Sequence, residues 1–110
     1  MHEPSSTHDT GIVDEAVARL RALYGERLVA VYQCPEPLYA DDDEAADMEF
    51  IVVLRGPVDR WHEVKSLSAI ASDIGLEHTL VIFFFPFGEA EIERGGWQVA
   101  DGMQRGLRVA

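Results

Sequence analysis

The stretch EHTLVIFFFPF, residues 77–87, constrains the fold most, because it is apolar at every position after its first three residues. β-Branched and aromatic side chains favour a β-strand, since they fit the pleated surface of a sheet. Successive side chains of a strand point to opposite faces, so this strand would be apolar on both of its faces. Such a strand is stable when protein covers both sides of its sheet. The sequence therefore predicts a layered domain.

The rest of the chain supplies the elements that a layered domain needs. Short apolar runs predict strands, and apolar residues spaced by three and four predict helices. In chain order these elements are a helix at 11–24, strands at 27–34 and 47–54, a helix at 60–74, the strand at 77–87, a helical turn at 88–95 and a short helix at 97–106. Gly25 and Gly75 are predicted to end the two long helices, and Asp59 to cap the second.

The predicted fold class is α/β, or α+β, with a small mixed sheet, helices packed on it, and the order α-β-β-α-β-α. Residues 1–9 are polar and lack periodicity, so we predict a flexible N-terminal tail. Residues 10–110 would form a single domain, the number expected for a chain of 110 residues. Trp61 and Trp97 are predicted to lie on helices that pack on the sheet.

The chain is strongly acidic. Nine basic residues stand against twenty acidic ones, which gives a net charge of −11. This charge repels phosphate backbones and argues against direct nucleic-acid binding. It is typical either of a protein from a salt-rich cytoplasm or simply of a soluble acidic protein. The first interpretation predicts a melting temperature that rises between about 0.1 and 1 M salt, because added salt screens the self-repulsion.

Targeting signals and cysteine usage bear on the compartment. No apolar run reaches the length of a membrane span, and the first ten residues lack the basic and apolar regions of a signal peptide. Cys34, the one cysteine, cannot form an intrachain disulfide, which is compatible with a reducing compartment. These features predict a cytoplasmic protein that does not bind a membrane.

A cluster of six carboxylates lies within residues 41–49, just before and at the start of the second strand. Strand alternation predicts that Asp47 and Glu49 share one face, where they would suit a hard divalent cation such as Mg²⁺. The alternative is a solvated strand edge that deters aggregation. The acids at 41–44 do not complete an EF-hand, because Ala45 and Ala46 replace a ligand and the required glycine. They predict a solvated loop.

The order and length of the elements also indicate a family. The succession of helix, LYGERLVAVY, loop, ADMEFIVVL, amphipathic helix, strand and closing WQVADGMQRGLRVA resembles the minimal nucleotidyltransferases of the DNA polymerase beta superfamily, over about residues 12–109. The family's hallmarks are a strand ending in Phe-Gly-Ser, an arginine-bearing glycine-rich loop and a strand opening Ser-Asp-x-Asp. VYQC lies where the Phe-Gly-Ser strand end would fall, and ADME lies where Ser-Asp-x-Asp would fall. QRGLRV is similar to the family's closing Arg-Glu-Gly stretch.

The resemblance implies that Asp47 and Glu49 are the catalytic and metal-binding pair and that Gln33 and Cys34 are the nucleotide-binding turn. Each position departs from the family pattern. Gln33 and Cys34 replace Gly-Ser, and the two prolines that follow have no N–H to offer a triphosphate. The loop arginine is absent, Glu49 stands for the second aspartate, and HTLVIFFF lacks the family's third carboxylate.

These departures predict a nucleotidyltransferase-like domain with impaired catalysis that acts as a binding module and binds Mg²⁺ weakly at Asp47 and Glu49. Minimal nucleotidyltransferases commonly pair with small helical HEPN-type proteins in toxin–antitoxin modules. The resemblance therefore implies such a partner, or a homodimer. Because the third strand is apolar on both faces, we predict that this partner buries part of residues 83–87 or the helix near Trp97. One alternative is an active metal-dependent nucleotidyltransferase that moves a nucleoside monophosphate from a triphosphate to a hydroxyl. The other is a small acidic α/β interaction domain unrelated to the family.

The cysteine and the histidines suggest two further kinds of site, a cysteine nucleophile and a zinc site. Cys34 lies at a predicted strand end, so a Cys–His nucleophile is conceivable, but the sequence favours a half-buried structural thiol. The four histidines lack the spacing of zinc ligands, which argues against a zinc site.

Overall fold

The structure, a computed structural model, describes residues 5–34, 46–94 and 106–110, apart from the side chains of residues 5–10. In chain order its elements are α1 (Ser5–Tyr24), a 3₁₀ turn (Gly25–Arg27), β1 (Leu28–Gln33), β2 (Met48–Leu54), α2 (Arg60–His78), β3 (Ile82–Gly88), α3 (Glu89–Glu93) and β4 (Leu107–Arg108). The predictions for the acidic loop at 41–44 and for a helix at 97–106 fall largely outside the described residues.

The strands form one mixed sheet in the order β3-β2-β1-β4. β1 and β2 pair antiparallel, with Val31 opposite Val52, whereas β2 and β3 pair parallel, with Phe50 opposite Phe84. β2 lies inside the sheet, and every one of its residues is buried. The prediction of a mixed sheet in which the three longer strands are neighbours is confirmed. β4 escaped prediction because a strand of two residues is too short to show a period.

Both long helices pack on one face of the sheet. In α1 the buried residues Ile12, Ala16 and Leu20 follow one another at intervals of four, so they form a single stripe. That stripe joins a core cluster that contains alternate residues of β2 and the buried apolar residues of α2. A smaller cluster on the opposite face contains Ile51 and Val53, with Ile92 of α3 packed against it. None of the described helices combines the length and apolar character needed to cross a bilayer.

The helix ends agree with the sequence in part. α1 ends at Tyr24 and Gly25 has a φ of +56°, which confirms the predicted stop. α1 begins at Ser5 rather than near residue 11, because a polar first turn carries no apolar period. The Asp59 side chain accepts a hydrogen bond from the backbone N–H of His62, at 3.3 Å, which confirms the predicted cap.

The prediction that Gly75 ends the second helix is wrong. α2 continues to His78, and Thr79 ends it in the left-handed region with a φ of +58°. Gly75 is buried, and a Cβ at that position would lie 2.6 Å from the backbone oxygen of Leu80. The glycine therefore permits a close approach of the chain that follows the helix.

The third strand is shorter and less covered than predicted. It begins at Ile82, since Glu77 and His78 belong to the last turn of α2. Ile82 and Phe84 are buried under the helices, but Phe83, on the other face, is 40% exposed. The prediction that both faces are covered is wrong for Phe83. The reason lies in the strand order, because β3 is an edge of the sheet that the structure describes.

Candidate functional site

Asp47, the first residue of the predicted carboxylate pair, lies in the bend that precedes β2. Its side-chain Oδ2 accepts a hydrogen bond from the backbone N–H of Val81, at 2.8 Å. Its own N–H donates to the carbonyl oxygen of Val81, also at 2.8 Å. Asp47 thus joins the beginnings of β2 and β3. One carboxylate oxygen is already engaged in holding the two strands together.

Glu49, the second residue of the pair, is a buried position of β2 with 6% of its surface exposed. Alternation places it on the face of Ile51 and opposite to Phe50. Its carbonyl oxygen accepts a hydrogen bond from the backbone N–H of Cys34, at 2.9 Å. Asp47 lies outside the strand, so alternation does not fix its side, and the shared face of the pair stays a prediction.

Gln33 and Cys34 stand where the resemblance places a nucleotide-binding turn. Gln33 is the last residue of β1, opposite Phe50 on one side and Leu107 on the other. Cys34 is half-buried just beyond it. Burial, and after it the negative charge of Glu49, raises the pKa of the Cys34 thiol to about 11. Cys34 is therefore a protonated thiol near neutral pH. A cysteine nucleophile reacts as the thiolate, so this environment does not suit one.

The structure brings Cys34 beside Glu49 and ties Asp47 to Val81. Across the part of the chain that is described, neither carboxylate belongs to a group of three potential ligand atoms within 4.8 Å of one another. Mg²⁺ takes six oxygen ligands and keeps several waters when the protein supplies one or two carboxylates. Asp47 and Glu49 thus offer Mg²⁺ at most a sparse protein ligand set. The neighbouring prolines and the residues of the missing arginine loop lie outside the described residues.

A groove runs between α2 and the edge strand β3, and the sequence indicated only its β3 side, residues 83–87. Its deeper part has a volume of about 370 Å³. A shallower depression continues it and shares Ser68, Ala71, Ile82 and Phe83 with the deeper part. We call this continuous surface the α2–β3 groove. Its lining includes Arg60, Val64, Ser68, Ala71, Leu76, Val81, Phe83, Phe85, Phe87 and Asp47.

Large apolar side chains remain exposed along this groove. Leu76 is 81% exposed and Val81 is 51% exposed.

Trp61, in the first turn of α2, is 82% exposed, so the prediction that it packs on the sheet is wrong. The buried face of the helix contains Glu63 and Leu67 instead. Apolar spacing does not reveal the first position of this face, because a glutamate occupies it.

Charged groups lie at both ends of the α2–β3 groove. Arg60 is placed over the ring of Phe87, 5.3 Å from its centroid, and pairs with Glu91. A hydrogen bond from the backbone N–H of Gly88, together with Arg60, holds the pKa of Glu91 below its usual value. Asp47 lines the opposite end. The groove is thus apolar along its length, with a cation at one end and a carboxylate at the other.

Comparisons of the chain with family models, with curated proteins and with solved structures found no match.

Proposed function

We propose that this chain is a nucleotidyltransferase-like domain with impaired catalysis, and that it acts as a protein-binding module whose α2–β3 groove receives an amphipathic helix of a basic partner. The observation that carries the proposal is the continuous apolar groove beside an edge strand. Exposed Leu76, Val81 and Phe83 contribute to it. Contiguous exposed apolar surface is uncommon on a protein without a partner.

The shape of the groove supports a helical ligand. A helix docks through one apolar face, which needs a channel walled by apolar side chains. Here α2 supplies one wall through Val64 and Leu76, and the beginning of β3 supplies the other, with Val81 just before the strand and Ile82 within it. An extended strand added to β3 would be limited by Pro86, which has no N–H to donate to a new neighbour.

The charge of the chain supports a basic partner. At −11, two copies repel each other, whereas a positively charged protein is attracted. A second copy is therefore the less favoured occupant, and it is retained as an outcome of the test below.

Impaired catalysis is supported by the carboxylate pair. One oxygen of Asp47 is engaged by Val81, and Glu49 is 6% exposed. Phosphoryl and nucleotidyl transfer depend on metal ions held by carboxylates and on donors that hold the phosphates. The thiol of Cys34 and the amide of Gln33 supply no positive charge for that second task. We expect no appreciable transfer from ATP, GTP, CTP or UTP.

Binding is tested with a synthetic amphipathic helix of leucine and lysine, titrated into the protein and followed by amide chemical shifts. The shifts should cluster on α2 and β3. Val64→Ser with Leu76→Ser should weaken binding by about 100-fold or more, because about 1.5–3 kcal/mol is lost for each of the two apolar side chains that is no longer buried. Leu23→Ser is the matched control, since Leu23 is an exposed leucine of α1 at 43% and lies outside the groove.

Two results would contradict this assignment. Equal weakening by Leu23→Ser would mean that the peptide binds exposed apolar side chains with no preference for the groove, and no weakening by any of these variants would mean that it binds through charge alone. A dimer in sedimentation that Leu76→Ser dissociates would give the groove to a second copy rather than to a helical partner.

Catalysis is tested separately by nucleotide transfer assays with Mg²⁺ or Mn²⁺. Asp47→Asn keeps an oxygen for the Val81 N–H and removes the negative charge, so we expect an intact fold and loss of weak metal binding. Transfer activity that disappears in Asp47→Asn would overturn the impaired-catalysis proposal and favour the active nucleotidyltransferase.

A further inference from the structure

A second group of polar side chains lies between α1 and α2, away from the α2–β3 groove. Glu15 comes from the middle of α1, and Glu77 and His78 come from the last turn of α2. One ligand atom from each of the three lies within 4.8 Å of the other two. Nε2 of His78 is 3.0 Å from Oε1 of Glu15 and 3.8 Å from Oε1 of Glu77.

We propose that Glu15, Glu77 and His78 form a binding site for one divalent transition-metal ion, with Zn²⁺ the ion that fits best. The distances match the geometry of such a site. Zinc binds nitrogen and carboxylate oxygen at about 2.0–2.2 Å, so two ligand atoms on a tetrahedron lie about 3.4 Å apart. The two measured distances, 3.0 and 3.8 Å, fall on either side of that value. Small side-chain rotations would therefore bring all three atoms to one ion.

The ligand types select the ion. A neutral imidazole is a common ligand for zinc and other late first-row metals, whereas Mg²⁺ and Ca²⁺ prefer oxygen ligands throughout. Three protein ligands leave a position for water, as in open zinc sites. The site differs in this respect from Asp47 and Glu49, which provide oxygen only.

The surroundings of the site favour a cation. Arg19 lies 3.7 Å from Glu15, but its guanidinium is also 3.1 Å from the carboxylate of Asp73. Among these neighbours and ligands the three carboxylates outnumber the one guanidinium, so negative charge remains when His78 is neutral. The ligand side chains are also reachable from solvent, since those of His78 and Glu15 are 21% and 27% exposed. A metal ion would compensate the charge and link the two helices.

The test is a calorimetric titration of Zn²⁺ into the protein in the presence of excess Mg²⁺, which occupies acidic surface that binds any divalent ion. We expect a one-site isotherm. His78→Ala should weaken binding by more than about 100-fold, because the site loses a direct ligand rather than an outer partner. Glu77→Gln tests the same claim at a side chain that is 55% exposed and so is safe for folding.

A matched variant separates His78 from the other histidines. Replacing His2, His8 and His62 by alanine leaves His78 as the last of the four, and this variant should keep the isotherm. In it, the imidazole signals of His78 should shift on addition of Zn²⁺. Because the ion links α1 to α2, Zn²⁺ should also raise the melting temperature, and Glu15→Gln should abolish that rise.

The proposal is overturned if His78→Ala and Glu77→Gln bind Zn²⁺ as the unaltered protein does, or if the histidine signals of His78 stay unchanged at saturation. It is also overturned if Mg²⁺ displaces Zn²⁺ at comparable concentration, since that would identify an unselective acidic surface. None of these outcomes depends on peptide binding in the α2–β3 groove.

Discussion

The two ends of the contact between α1 and α2 both carry glutamates, and their surroundings differ. Tyr24 contacts Glu63 at one end, and Glu15 contacts His78 at the other, so the helices run antiparallel. Glu63 is 4% exposed and accepts hydrogen bonds from the Tyr24 hydroxyl, at 2.9 Å, and from Arg27, at 3.4 Å. Glu15 and its neighbours are partly open to solvent. One end is a buried polar network and the other is a polar cluster partly exposed to solvent.

Burial explains the difference. A buried carboxylate must find its donors within the protein, because water is excluded. Arg27 meets this need at Glu63 and is itself held by the carbonyl oxygens of Arg55, at 3.2 Å, and Pro57, at 2.9 Å. At the open end the side chains of Glu15, Glu77 and His78 reach solvent, which weakens the repulsion between the two carboxylates. The buried end therefore stabilises the fold, while the open end keeps capacity for a ligand.

The largest expected effect is at the buried end. Glu63→Ala removes the acceptor of both Tyr24 and Arg27, and we expect the free energy of unfolding to fall by about 3 kcal/mol. Urea denaturation measures it. Lys65→Ala, an exposed charge change on the same helix, should shift the value by less than about 0.5 kcal/mol. Similar losses in both variants would remove the distinction between the two ends.

A smaller effect is expected where α2 approaches the chain that follows it, next to the open end. Gly75→Ala places a Cβ 2.6 Å from the Leu80 oxygen, so the backbone must shift. Overpacking of this kind lowers the free energy of unfolding by about 1–3 kcal/mol. We expect a loss of about 2 kcal/mol for Gly75→Ala, measured by thermal unfolding. Gly11→Ala is the control, because nothing lies within 4 Å of a Cβ at that helical position. A Gly75→Ala protein as stable as the control would contradict the close approach.

Tyr24→Phe should lower the free energy of unfolding by about 1 kcal/mol, the contribution of one hydrogen bond. The size of this loss should depend on pH, because it involves the ionisable hydroxyl of Tyr24. Burial, and after it the hydrogen bond with Glu63, raises the pKa of Tyr24 above its usual value. Because the folded protein holds the proton more tightly, this stabilisation is complete below about pH 10 and falls as the pH rises beyond it. Denaturation of both proteins between neutral and alkaline pH should show the difference shrinking, and a difference that grows would refute the buried network.

The smallest effect is expected for the exposed pair between the two ends. Arg19 contacts Asp73 at 3.1 Å, with side chains 39% and 63% exposed. Arg19→Ala should cost less than about 0.5 kcal/mol at low salt and nothing at about 1 M salt, where the Debye length is about 3 Å. The cost of Glu63→Ala should persist at both salt concentrations, because Glu63 is shielded from the added ions.

Local patterns were enough to predict β1, β2 and the beginning of α2. The runs at 27–34 and 47–54 gave β1 and β2, and Asp59 gave the cap of α2, since each signal resides within a few consecutive residues. The prediction for Trp61 on α2 was wrong, because the first turn of the helix buries Glu63 instead, through contacts with Tyr24 and Arg27 from a distant part of the chain. Gly75 was predicted to stop the helix because glycine commonly does so, whereas here it allows the chain at Leu80 to approach the helix closely.

The candidate sites depended even more on tertiary structure. Asp47 and Glu49 were recognised as neighbours in sequence, but the engagement of Asp47 by Val81 follows from the parallel pairing of β2 and β3. The α2–β3 groove exists because β3 is an edge strand, which is a property of the sheet order. Glu15 and His78 are separated by 63 positions, so no motif could have associated them.

The parallel pairing of β2 with β3 has a consequence for the order of folding. Residues 55–81, including all of α2, separate the two strands, so their pairing requires closure of a long loop, which is entropically costly. β3 is also held by the described sheet along one side only. We expect the amides of Ile82–Gly88 to exchange with deuterium sooner than those of Met48–Leu54, through a local opening that leaves β1 and β2 paired. The edge strand would then be the last to join the sheet and the first to leave it.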